Sequence, residues 1–170
     1  AKVLMSQHPN APSSISQVRD RLLSIAAMFK DEFSIDWLME ISRDKPSQIL
    51  EVMEEGIKEG WLQQKGPGLF TFVDADKREH IRQHSDKKSQ NQLHSRIADL
   101  IFNELPDGDR KILTGAYHLL HIQNDLEKCG LLMQAGDLLI KSFRTNEAVK
   151  CYHKVLDDLA DATDEVSHQL

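Results

Sequence analysis

Eight histidines, two cysteines and 27 acidic side chains give this chain the raw material for metal or acid-base chemistry, so their spacing is the first question. His80 and His84 stand four residues apart and His118 and His121 three apart, separations that set two imidazoles on one helix face and suit two metal ligands each. A metal site would also need Cys129, Asp125 or Glu127 to converge on them, and the order of helices in the sequence supplies no such convergence. Surface or packing histidines are the expected reading. Cys129 and Cys151 have neither metal-type spacing nor an evident activating neighbour, so both are expected as buried thiols in a reducing compartment, the cytoplasm. No serine occupies a nucleophile elbow, and no GxxxxGK[ST] phosphate loop occurs; the Gly66, Pro67, Gly68 turn lacks the lysine and hydroxyl such a loop requires. Asp157 with Asp158, and Glu54 with Glu55, are adjacent and diverge on a helix. The sequence therefore assigns no catalytic, cofactor-binding or metal-ligating residue, and no enzyme is expected.

Phosphate recognition is the other chemistry to weigh. Residues 77–96 carry Lys77, Arg78, Arg82, Lys87, Lys88 and Arg96 against Glu79 and Asp86, six positives less two negatives, or +4. Five of these, Lys77, Arg78, Arg82, Lys87 and Lys88, would be the contacts of a DNA-binding protein tracking phosphates. No aromatic residue interrupts the stretch, which removes a stacking platform for single strands. A solvated helical face is the plainer reading. Overall the chain carries a net charge of −6 with a pI near 5.7, against bulk nucleic-acid binding. Its 40% hydrophobic and 28% charged content suits a soluble globular protein, and no apolar run approaches a membrane span.

The elements that must position these groups follow from periodicity. Pro9, Pro12, Ser13 and Ser14 mark residues 1–14 as linker. Ile15, Val18, Leu22, Ile25, Ala26 and Phe29 then give a first helix ending near Lys30. Residues 34–73 read as helix, turn, helix, strand, tight turn, strand, which is a winged helix-turn-helix with a β-hairpin wing, occupying 15–86. Pro46 starts its second helix, Gly60 stops it, and Gly66, Pro67 and Gly68 turn the wing. Trp37 and Trp61 bracket this unit as core or interface residues. The candidate recognition helix, 47–59, sets Glu51, Glu54, Glu55 and Glu59 against Lys58, a net −3 that repels phosphate.

Residues 87–160 are expected to be all helix. One face carries Leu93, Ile97, Leu100, Ile101 and Leu105; the next helix, near 109–122, presents Ile112, Leu113, Ala116, Leu119 and Leu120. A third shows Leu126, Cys129, Met133, Gly136, Ile140 and Phe143, and a fourth Ala148, Val149, Tyr152, Val155, Leu156 and Leu159. Short connections imply antiparallel hairpins. The last hairpin fits the tetratricopeptide pattern in part: Gly136 and Ala148 fall at its small positions, Tyr152 at its aromatic one, and Leu132 and Leu139 at large ones, while Leu139 stands where tyrosine is usual and Ala160 where proline is usual. One such unit needs neighbours to cover its faces, so the chain, which starts with Ala1, is expected to be a piece of a longer protein. Residues 161–170 are tail or the start of a further repeat.

Residues 26–38, with Ala26, Ala27, Met28, Phe29, Phe33, Ser34 and Leu38, resemble the stretch that opens the winged helix of STAND-type signal-transduction ATPases of the maltose-regulator-like class. Lys30 replaces a glycine usual there. The wing, the Leu93, His94, Ile97, Ala98 helix and the hairpin of residues 131–156 are similar to the same class. The resemblance implies a non-catalytic segment relaying state between an upstream ATPase domain and a downstream repeat array, with partners among the other domains and among proteins bound by the repeats. It also implies that His94 is a packing residue. The alternative is a DNA-binding winged-helix regulator working through the basic stretch.

Overall fold

In the computed structural model, residues 14–167 are described. They are mainly helical, with eight helices and one three-stranded antiparallel sheet. The expected linker lies, apart from Ser14, outside the described residues, as do residues 168–170. The chain divides into two compact units, Ala1–Ile81 and Arg82–Leu170.

In the first unit, α1 (Ser14–Ala27) buries Leu22, Leu23, Ile25 and Ala26. It stops three residues short of the expected end, and Met28 and Phe29 close it with tight turns onto the Ile25 and Ala26 carbonyls. A strand that periodicity does not reveal follows, β1 (Glu32–Ser34), and three residues are too few to display an alternation. Ser34 ends β1 and caps α2 (Ile35–Ser42), its hydroxyl accepting from the Trp37 N–H at 3.1 Å. Arg43, at φ +60°, closes α2 in the left-handed region with its N–H on the Met39 carbonyl. Pro46 opens α3 (Pro46–Lys58) at the first helical turn, where a missing N–H costs nothing, and Gly60 at φ +78° lets the chain leave it.

The hairpin β2 (Leu62–Gly66) and β3 (Leu69–Phe72) completes the sheet in the order β1-β3-β2, with a register shift between Gln64 and Gly66. Phe33 on β1 faces Phe70 and Phe72, with ring centroids 6.3 and 6.0 Å away, and Phe29 stacks on Trp37 at 5.6 Å. These rings weld sheet to helices. Gly56 is required by close approach: a Cβ there would stand 2.6 Å from Leu62 Cδ1.

α4 (Ala75–Gln83) spans the division between the units. The second unit contains α5 (Lys87–Glu104), α6 (Asp109–Leu119), α7 (Leu126–Lys141) and α8 (Thr145–Ser167), each packed on the next. Asp86 and Asp125 cap α5 and α7 by accepting from the Ser89 and Lys128 N–H groups. α8 continues through residue 160 to Ser167.

The packing faces differ from the expected stripes. α7 buries Cys129, Leu132, Ala135, Gly136 and Leu139, while Met133 and Ile140 are exposed, and Phe143 lies beyond the helix at φ +60° with 93% of its surface open. On α8, Ala148, Cys151 and Val155 are inside, whereas Val149, Leu156 and Leu159 are exposed. The stretch 131–140 is apolar nearly all round, so spacing alone admits more than one buried face.

Candidate functional site

The basic residues are divided between the units: Lys77 and Arg78 lie in the first, Arg82, Lys87 and Lys88 in the second. Lys77 is exposed, its ammonium 4.6 Å from the centre of the Trp61 ring. Arg78 is half-buried and donates to the Phe29 and Lys30 carbonyls just past α1, so its guanidinium is engaged in satisfying backbone. Arg82 donates to the Gln90 side chain at 3.3 Å, while Gln90 returns a bond to the Arg82 carbonyl at 2.9 Å. Lys87 and Lys88 are exposed in the first turn of α5. On α3, Glu51, Glu54 and Glu59 are exposed, and Glu55 pairs with Arg19 at 3.3 Å. Glu59 accepts from the Trp61 indole N–H at 2.6 Å.

The histidines do not group as the spacing suggests. His80 is exposed on α4 and His84 lies past its end, so they do not share a helical turn. His118 is turned inward, with its Nδ1 2.9 Å from His94 Nδ1, a residue 24 positions away. His121 follows the end of α6 and stacks on His94 with centroids 4.2 Å apart, and Tyr117 meets both His94 and His121 edge-on. Burial first, and then the neighbouring His121 and Arg82, push the His94 imidazole down to about 3, and burial likewise holds His118 well below its ordinary value. Among the described residues, no group of three or more His, Cys, Asp or Glu side chains is arranged to hold a metal.

Sequence reasoning missed a second polar node. Asn124, buried in the link between α6 and α7, donates to the Leu119 and Ile122 carbonyls at 2.8 and 3.0 Å and to Asp158 Oδ2 at 2.8 Å. Asp158, only 1% exposed, also accepts from Lys154 Nζ at 2.6 Å. The available signal was Lys154 one turn before Asp158; nothing in the sequence names Asn124 as their partner. Cys129 and Cys151 are buried free thiols, and desolvation pushes both up, further from the thiolate a nucleophile needs.

The second unit exposes several large hydrophobes. The exposed side chains Met133 and Ile140 on α7, Phe143 after it, and Val149, Leu156 and Leu159 on α8 are large hydrophobes left in water by the hairpin that positions them. The hairpin closes through a small-to-large contact in which a Cβ on Gly136 would stand 2.5 Å from the Tyr152 ring, whose hydroxyl donates to Asp137 at 2.8 Å. α5 and α6 use a similar device, Gly115 against Phe102, with 2.2 Å between an added Cβ and the ring. A cleft of about 630 Å³ is lined by Phe102, Asp109, Lys111, Ile112, Leu131 and Lys141 among others. No described helix is long and apolar enough to cross a membrane. No known protein family, curated protein or solved structure matches this chain.

Proposed function

We propose that the chain is a non-catalytic regulatory and protein-interaction segment of a larger signal-transduction ATPase, relaying state between an ATPase domain and a helical-repeat array in the cytoplasm. In this reading the first unit is a winged helix-turn-helix and the second is built of tetratricopeptide-like hairpins. The order helix, strand, helix, helix, hairpin, with β1 paired onto β3, is that expected of a winged helix. The observation that carries the reading is the α7–α8 hairpin. It seats Tyr152 over Gly136 with Ala148 fully buried, and leaves Val149, Leu156 and Leu159 of α8 exposed for a following hairpin of the same protein to cover. Reading the surrounding open reading frame tests it: a GxxxxGK[ST] loop upstream and further helical hairpins downstream are expected, and a frame with neither overturns the reading.

The DNA-binding alternative has less in its favour. α3 exposes Glu51, Glu54 and Glu59, and Arg78 is engaged with backbone carbonyls. With α3 acidic and Arg78 engaged, affinity for duplex should be low and nearly insensitive to salt. In a mobility-shift titration between about 50 and 200 mM salt we expect no protein-dependent shift at micromolar concentration. A shift that weakens steeply with salt, and is lost when Lys77, Arg78 and Arg82 become Glu, would favour the alternative.

A further inference from the structure

His94 and His118 are 1% and 2% exposed, and they meet Nδ1 to Nδ1 at 2.9 Å across α5 and α6. Two imidazoles can share such a bond only if one Nδ1 carries a proton and the other does not. His94 Nε2 is buried without a hydrogen bond, so the less costly tautomer places the proton on His94 Nδ1 and leaves Nε2 as a bare lone pair. His118 Nδ1 is then the acceptor. Adding a proton has no benign outcome. On His118 Nδ1 it sets two N–H groups against each other at 2.9 Å; on His94 Nε2 it creates a buried cation whose new N–H has no acceptor.

The groups placed around the pair include several basic ones. His121 lies 4.2 Å from His94 ring to ring, Arg82 from α4 adds a fixed positive charge, and Tyr117 contributes only ring edges. His118 feels His94 and His121. On α7, Lys128 is paired with Asp99 of α5 at 3.2 Å. Beside burial, the charges of His121 and Arg82 act against protonation of His94, and those of His94 and His121 against protonation of His118.

We infer that the His94–His118 pair is an acid-sensitive latch between α5 and α6, holding the two helices together while both imidazoles are neutral and releasing them when either takes a proton from solvent. The sign follows from linkage. Both histidines bind protons less readily folded than unfolded, so the stabilisation is complete above the unfolded value of 6.5 and is lost progressively as pH falls from there toward about 3, the folded value of His94. A histidine that stays neutral in the folded chain contributes up to about a tenfold loss in the folding equilibrium per pH unit between its unfolded and folded values.

The test uses the whole 170-residue chain. Histidine ring resonances followed by NMR from pH 7.5 to 4.5 should show two imidazoles that stay neutral while the chain is folded. Amide exchange over the same range should show α5 and α6 losing protection before α8. Replacing the pair together, His94→Phe with His118→Leu, should flatten the pH dependence of the urea midpoint. Titration of both histidines near 6.5 in the folded chain, or equal loss of protection in α5, α6 and α8, overturns the latch; the first measurement needs no variant.

Discussion

Replacing Asp158 with alanine is expected to lower the stability of the second unit by about 3 kcal/mol, at the low end of the cost of breaking a buried ion pair. Asp158 is 1% exposed and receives both Lys154 and Asn124; with the carboxylate gone, the Lys154 ammonium loses its partner. Lys154 keeps 21% of its side chain in solvent and can turn outward, which is why the cost does not reach the top of that range. Asn124 sharpens the test. Its side-chain nitrogen has two hydrogens serving three acceptors, the Leu119 and Ile122 carbonyls and Asp158. Asn124→Ala strands these acceptors, at about 1–3 kcal/mol for a buried group left unsatisfied. Asn124→Asp turns a donor into an acceptor and should cost more than alanine. Urea unfolding midpoints at constant slope measure both; an Asn124→Asp protein as stable as Asn124→Ala would show that the donor geometry is wrong.

Gly115→Ala should destabilise by about 1–3 kcal/mol, the usual cost of overpacking a filled core. Helix propensity pulls the other way, since alanine is favoured over glycine by about 1 kcal/mol in a helix interior. Geometry decides the sign. The new methyl would stand 2.2 Å from Phe102 Cζ and within 3 Å of two further ring carbons, so the partly buried Phe102 ring must swing aside and give up packing against the core. Phe102→Leu in the same chain should restore much of the loss, because it removes the ring edge the methyl strikes. Gly130→Ala is the control: nothing lies within 4 Å of its Cβ, so propensity acts alone and the variant should gain up to about 1 kcal/mol. Thermal midpoints for the four proteins test this, and a Gly115→Ala protein more stable than its parent would overturn the close contact.

Local chemistry made several elements legible. Pro46 can only begin a helix, Gly60 and Gly68 take positive φ that other residues resist, and Asp125 is a side chain that caps the helix after it. These signals act within four residues and need no partner from elsewhere in the chain. The acidic face of α3 is equally a property of the sequence, because Glu51 and Glu54 remain exposed on the helix that periodicity assigns.

Other features depended on groups distant in the chain. β1 exists because β3 offers Glu32–Ser34 a pairing edge; alone, three residues have no pattern to display. His118 and His121 suggest one pair by spacing, yet His118 bonds His94, since the packing of α5 on α6 brings the two Nδ1 atoms together. The clasp of Asn124 on Asp158 spans 34 residues.

Propensity, capping and charge are carried by neighbouring residues, so the mainly helical character of the described residues and the negative charge on α3 were legible from the chain alone. Tertiary structure alone decided which side of α7 is buried and which histidine meets which. A helix apolar on several sides can bury any of them; on α7 the buried side includes Gly136, over which the Tyr152 ring of α8 comes close.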